Sequence, residues 1–225
     1  MADLFLDTSV LLGYIFPKDR WEKNSISCFN APQKKWTSSS VDAEMQKKCA
    51  YVRRKVQKDL LSLIMDLSQG KDKPLGESEL VRIQNDLSGS KLEPMVMDLI
   101  NEIKTRTPQI SEACQRLREV LRGFLTYVQQ HEDELKNKMT ALELECWTRL
   151  DDYTDIQKKL AKYMKNDDDL EILLDAHDLA LVRQLILDFV TADYDDYKYF
   201  ESEVLSIVKI NRIAFLHEFK PERVT

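Results

Sequence analysis

The chain has 225 residues, 43% of them hydrophobic and 32% charged, which suits one sizeable domain and excludes a low-complexity chain. Its net charge is −6, from 33 Lys and Arg against 39 Asp and Glu, so overall charge argues against nucleic-acid binding unless a local basic surface exists. The four cysteines lack zinc or CxxC spacing, and no apolar stretch is long enough to cross a bilayer; we therefore predict a cytoplasmic protein with reduced thiols and no membrane association.

The N-terminal segment begins with a short apolar run. Residues 4–6 are all apolar and end at Asp7, which predicts a buried strand. The hydroxyl side chains that follow can cap a helix over residues 8–15. A second helix is expected over 21–29, and a second strand over 35–37.

The middle of the chain has almost entirely helical periodicity, interrupted by a predicted loop over 68–74. A helix that begins at Thr107-Pro108 has a cap followed by a first-turn proline. The expected helices are 41–67, 77–87, 92–104, 107–128 and 132–164. We therefore predict a helical insertion over about 51–164.

The last part of the chain alternates helix and strand again. A helix opens near 170–174, an apolar run over 185–191 predicts a buried strand, and a helix near 200–207 precedes a final strand over 212–216. Alternating strands and helices at both ends of the chain predict an α/β fold with a parallel sheet.

Two of these strands end in the same way. Asp7 and Asp193 each lie at or just past the C-terminal end of an apolar strand, where ligand sites of open α/β sheets occur. Glu44 and Asp169, each near the start of a helix, could complete a cluster of carboxylates. Such a cluster favours Mg²⁺ or Mn²⁺, and an ion there can support hydrolysis of a phosphodiester.

At these residues the sequence resembles the PIN domain. The matching segments are Leu6-Asp7-Thr8-Ser9-Val10-Leu11, Glu44 after Thr37-Ser38-Ser39-Ser40, the pattern Asp169-x-x-Ile172-Leu173-x-x-Ala176, and Val190-Thr191-Ala192-Asp193. The resemblance covers about residues 1–50 and 165–219. The stretch between Glu44 and Asp169 is much longer than in compact members of the family.

The resemblance implies a three-layer α/β/α domain with a parallel central sheet. That single PIN-like domain would be formed by about 1–50 and 165–225, with the helical insertion between them. It also implies endonucleolytic cleavage of RNA with Mg²⁺ or Mn²⁺, as in the VapC-type toxins of toxin–antitoxin pairs. Thr8 and Thr191 would orient the metal-binding carboxylates through hydrogen bonds.

The identity of the third acid is open at this point. Asp169 fits the apolar pattern of its helix best, Asp175 has toxin-like spacing to Thr191, and Asp168 is a further alternative. Asp196 is a candidate for an additional metal contact.

Basic residues are concentrated directly after Glu44, on one predicted helix. An RNA backbone could be held there beside the acidic site, although a solvated helix surface would have the same composition. The candidate RNA-binding residues are Lys47, Lys48, Arg53, Arg54, Lys55 and Lys58.

Two other functions compete with the nuclease. The fold could be an inactive PIN-like scaffold whose helical region binds RNA or protein. A haloacid-dehalogenase-like phosphatase would need a second Asp two residues after Asp7, and that position is Ser9. The sequence leaves open whether the helical region forms a homodimer, clamps the substrate, or binds an antitoxin or another protein.

Overall fold

The computed structural model describes residues 1–69, 73–103 and 108–220. Five strands form one sheet in which every neighbouring pair is parallel, in the order β3-β2-β1-β4-β5. The predicted α/β class with a parallel sheet is therefore confirmed. The strands are β1 (Asp3–Leu6), β2 (Lys35–Ser38), β3 (Glu145–Trp147), β4 (Leu187–Thr191) and β5 (Arg212–Phe215).

Ten α-helices lie in the described part of the chain. They are α1 (Thr8–Ile15), α2 (Glu22–Asn30), α3 (Ser39–Ser68), α4 (Glu77–Leu87), α5 (Glu93–Ile103), α6 (Ile110–Thr140), α7 (Thr154–Leu160), α8 (Asp167–Arg183), α9 (Tyr194–Tyr197) and α10 (Glu201–Ile207). Most of the predicted elements are confirmed. Thr107 and the middle of the predicted loop over 68–74 lie outside the described residues.

The predicted helix over 132–164 is wrong in part. Helix α6 ends at Thr140, and the next element is β3, which pairs with β2 at the edge of the sheet. The indole of Trp147 in this strand donates to the buried carboxylate of Asp178 (2.7 Å). Contacts with α8 and β2 therefore fix a strand that local periodicity does not indicate.

Strand β1 lies in the centre of the sheet, between β2 and β4. Its register pairs Leu6 with Val190, and the amide of Asp7 donates to the Val190 carbonyl (3.0 Å). The rings of Phe5 and Phe189, both fully buried, stack at 5.8 Å between these strands. This register sets the C-terminal end of β1 directly beside that of β4.

The helices cover the sheet in a way consistent with three layers. Helix α1 packs against β4 and α2, whereas α8 packs against β2 and β4. The chain moves from β1 to β2 in one direction and from β3 to β4 in the opposite direction. Because such crossovers are right-handed, the two directions place α1 and α8 on opposite faces.

The chain divides into two compact units, whose boundaries fall within α3 and α6 and around residues 16–19. Unit 1 contains Met1–Ile15, Arg20–Lys47 and His131–Thr225, and therefore all five strands. Unit 2 contains Phe16–Asp19 and Lys48–Gln130, with a helical core that includes Leu60 and Phe124. Among the described residues, no helix combines the length and apolar character needed to span a membrane.

Candidate functional site

The carboxylate of Asp7 is buried at the end of β1, with 4% of the residue exposed. It accepts hydrogen bonds from the amide of Thr8 (2.6 Å) and from the hydroxyls of Ser9 (2.9 Å) and Thr191 (2.8 Å). Burial raises the pKa of Asp7, and these hydrogen bonds oppose the rise because they favour the ionised form. The side chain is therefore fixed in orientation.

Glu44 is joined to Asp7 through Thr8. Its carboxylate, on α3 and 8% exposed, accepts a hydrogen bond from the Thr8 hydroxyl (2.5 Å). The backbone amide of the same Thr8 donates to Asp7. Thr8 thus holds both carboxylates in place. The negative charge of Glu44 also contributes to the raised pKa of Asp7.

Asp193 follows the end of β4 and is half-buried. Its amide donates to the hydroxyl of Thr191 (3.1 Å), the same hydroxyl that donates to Asp7. Ser9 adds a further link, since its hydroxyl accepts from the amide of Ala192 (2.9 Å). Hydrogen bonds therefore tie the loop after β4 to the loop after β1.

Asp169 lies in the first turn of α8, after the N-cap residue Asn166. Burial, together with the negative charges of Asp7, Asp193 and Glu44, raises the pKa of Asp169 to about 7. Asp169 also lines a cavity together with Asp195 and Asp196, which follow Asp193 closely in the chain. We call Asp7, Glu44, Asp169 and Asp193 the acidic cluster.

Tyr197 is a buried aromatic neighbour of this cluster. It lies in α9, is 2% exposed, and its ring centroid is 5.7 Å from that of Phe189. Burial raises the pKa of Tyr197 well above its usual value, and the nearby charges of Asp7 and Asp169 raise it further. A neutral phenol therefore lies beside the carboxylates.

The alternative third acids lie in other surroundings. Asp175 is buried beside Arg149 (Nε to Oδ1, 3.6 Å). Burial raises the pKa of Asp175, and hydrogen bonds from Ser38 and Ser40 oppose the rise. Asp168 is exposed, and its amide is capped by the Asn166 side chain (3.1 Å). The charges that act on Asp169 are those of Asp7, Asp193 and Glu44, whereas the charges that act on Asp175 are those of Arg149 and Glu171.

A groove of about 310 Å³ lies between the start of α3 and the start of α8. Its lining includes Glu44, Asp168, Glu171 and the exposed Lys47. Lys47 is the candidate RNA-binding residue that belongs to unit 1. The other candidates belong to unit 2 and are exposed, except for Arg53, which is half-buried and donates to Gln129 (3.2 Å); they are Lys48, Arg53, Arg54, Lys55 and Lys58.

The donor chemistry of the acidic cluster suits a hard divalent cation. Carboxylate oxygens are the preferred ligands of Mg²⁺ and Mn²⁺, and a cation would relieve the repulsion that, in addition to burial, raises the pKa of Asp169. Within residues 1–69, 73–103 and 108–220, however, no three His, Cys, Asp or Glu side chains are spaced to hold a metal ion. The residues thus fit a metal in donor type and charge, and the spacing of their side chains is not that of a formed site.

Comparisons with protein-family models, with curated proteins and with solved structures find no match to this chain. The resemblance to PIN domains therefore depends on the four acidic motifs alone.

Proposed function

We propose that the chain is a PIN-like, metal-dependent endoribonuclease that hydrolyses RNA phosphodiester bonds. The main support is the hydrogen-bond network in which Thr8 joins Asp7 to Glu44 and Thr191 joins Asp7 to the amide of Asp193, although these acids come from distant parts of the sequence. The negative charges of the same three acids act on Asp169. Proteins seldom keep such like charges together at partly buried positions without a functional reason. Asp7 and Asp193 also follow the C-terminal ends of β1 and β4, where open parallel sheets bind ligands.

In this proposal the four carboxylates of the acidic cluster would hold one or two Mg²⁺ or Mn²⁺ ions, and Asp196, which lines a cavity together with Asp169, is a further candidate ligand. A bound ion would polarise the phosphodiester and lower the pKa of a water molecule. Thr8 and Thr191 keep Asp7 in one orientation, and Thr8 links it to Glu44. The oxygen of water attacks phosphorus, the bond to the leaving oxygen breaks, and that oxygen receives a proton.

Lys47 lies in the groove beside Glu44 and can contact a phosphate oxygen of the substrate. The basic residues of α3 in unit 2 remain predicted RNA contacts. A cytoplasmic location, a homodimer and a protein partner such as an antitoxin also remain predictions.

A second function is an inactive PIN-like scaffold that binds RNA or protein. It is favoured by the spacing of the described acidic side chains, no three of which are placed to hold a metal ion. The carboxylate of Asp7 also accepts three hydrogen bonds from the protein itself. These bonds would be enough to explain its burial in a purely structural role.

The two functions are separated by incubating the full chain with labelled RNA in Mn²⁺ or in EDTA. The nuclease predicts cleavage in Mn²⁺ that falls at least about 100-fold in EDTA and in the double variant Asp7→Asn/Asp193→Asn. Asp155→Asn is the matched control, because Asp155 is exposed on α7 and also lies in the first turn of a helix. Equal cleavage by the double variant and the control would overturn the nuclease, and RNA binding without cleavage would favour the scaffold.

A further inference from the structure

A cavity of about 260 Å³ lies beside the acidic cluster, within unit 1. Its walls come from the turn after α7, the start of α8 and the region of α9 and α10. Asp169 lines this cavity together with Asp195, which lies two residues after Asp193, so the cavity adjoins the acidic cluster. We call it the side cavity. A molecule held in it would therefore lie next to the carboxylates that carry the proposed chemistry.

Two aromatic rings form part of the wall of the side cavity. Tyr163 and Phe200 approach to 5.6 Å between ring centroids at an angle of 48°. Phe200 is 39% exposed, and Tyr163 is half-buried. Met164, which is 9% exposed and follows Tyr163 in the chain, adds an apolar side chain to the lining. Partly exposed aromatic faces of this kind are the usual platforms on which single-stranded nucleic acids stack their bases.

The rim of the side cavity has charges of both signs. Lys165 is exposed and can contact a phosphate. Asp195 and Asp196 are exposed carboxylates that offer only hydrogen-bond acceptors when ionised. Among the four bases, guanine presents two adjacent N–H donors on its Watson–Crick edge, so it matches a carboxylate better than adenine does. Edge recognition of this type requires a base that is not paired.

We propose that the side cavity binds one unpaired nucleobase of the RNA substrate, with guanine preferred, next to the phosphate that the acidic cluster cleaves. This inference rests on the proposed nuclease function for its substrate. It makes the enzyme selective for single-stranded RNA, because a base in a duplex cannot enter the cavity without breaking its pair.

Binding of single-stranded and duplex oligoribonucleotides to the full chain tests the stacking. Fluorescence anisotropy is measured in Ca²⁺, which takes the same oxygen ligands as Mg²⁺, and a gel confirms that the RNA stays intact. Phe200→Leu keeps apolar volume but removes the ring, and we expect it to raise the Kd for single strands about tenfold. Tyr199→Leu is the matched control, because Tyr199 is adjacent, 71% exposed and outside the cavity lining.

The Kd for duplex RNA should be the same in both variants. Tyr163→Leu removes the other ring and should act as Phe200→Leu does. Equal single-strand binding by Phe200→Leu, Tyr163→Leu and Tyr199→Leu would overturn the stacking role. Thermal melting of each variant verifies that the fold is retained.

Guanine preference is tested with oligouridines that contain one guanosine or one adenosine at the same position. We expect about tenfold tighter binding of the guanosine oligomer, and loss of that difference in Asp195→Asn. Equal Kd values for the two oligomers in the wild type would overturn the preference.

Cleavage in Mn²⁺ separates this inference from the function on which it rests. If the wild type does not cleave RNA but Phe200→Leu still weakens single-strand binding, the nuclease fails and the side cavity stands as a base-binding site. If the wild type cleaves single strands and duplexes at equal rates, and Phe200→Leu cleaves equally well, the side cavity fails and the nuclease stands.

Discussion

Replacing Asp169 with Asn should stabilise the metal-free protein at neutral pH. Burial and the charges of Asp7 and Asp193 raise the pKa of Asp169 from 3.8 to about 7. A rise of that size corresponds to about 4 kcal/mol for ionising the group in the fold. Solvent screens a half-buried carboxylate, so we expect about 1 to 2 kcal/mol of stabilisation in Asp169→Asn. For a chain of this size that is a Tm increase of roughly 2 to 8 °C.

The sign of the effect depends on pH. Between pH 3.8 and about 7 the folded chain holds a proton on Asp169 that the unfolded chain has released, so wild-type stability falls as pH rises through this window. Asp169→Asn lacks this fall. Its Tm should match the wild type near pH 4 and exceed it most above pH 7, where Asp169 is ionised.

The assay is thermal melting by circular dichroism in EDTA across this pH range. Asp168→Asn is the control: Asp168 is exposed, and its replacement also removes a first-turn charge, so the helix-dipole contribution cancels. An Asp169→Asn variant no more stable than Asp168→Asn at pH 8 would refute the argument that the acidic cluster is repulsive.

Three further predictions concern the same unit. Mn²⁺ should raise the Tm of the wild type, and the rise should be larger at pH 8 than at pH 6 because protons compete with the ion for Asp169. Asp7→Asn should lose most of this rise in Tm. An equal rise in the wild type and in Asp7→Asn would contradict the prediction. Thr191→Val should lower the free energy of unfolding in urea by about 2 kcal/mol, because it removes a hydrogen-bond donor to the buried Asp7 carboxylate. Thr37→Val loses only a 3.3 Å hydrogen bond to a neutral carbonyl and should lower it by about 1 kcal/mol or less. Asp178→Ala should cost roughly 3 kcal/mol and red-shift tryptophan fluorescence, since the buried carboxylate accepts hydrogen bonds from the Trp147 indole, the Leu150 amide and the Tyr153 hydroxyl. A cost below about 1 kcal/mol would show that these bonds are not structural.

The central strands could be predicted because their sequences meet the requirements of burial on both faces. Strand β1 is apolar from Leu4 to Leu6, and β4 is apolar apart from Asp188 and its last residue, Thr191; the structure buries both strands almost completely. Strand β3 has the sequence Glu-Cys-Trp, and its middle residue Cys146 is exposed. It exists because β2 offers an edge and Asp178 holds Trp147, which are contacts between distant residues.

The acidic cluster could be predicted in outline and not in detail. Strand ends place Asp7 and Asp193, and parallel pairing makes them neighbours. The choice among Asp168, Asp169 and Asp175 depends on which face of α8 is turned to the sheet ends, and a run of acids and leucines does not determine that phase. The role of Thr8 as a link from Asp7 to Glu44 depends on the packing of α3, which local sequence does not specify.

The central place of β1 has a consequence for the lifetime of any site at its end. β1 has hydrogen-bonded neighbours on both sides, whereas β3 and β5 each have one among the described strands. Local opening that frees the backbone before Asp7 must break two ladders at once, so the amides of β1 should exchange with deuterated solvent far more slowly than those of β3 or β5. A carboxylate attached to such a strand keeps its position while loops around it rearrange, and evolution can therefore change what the surrounding loops bind without moving the acid itself.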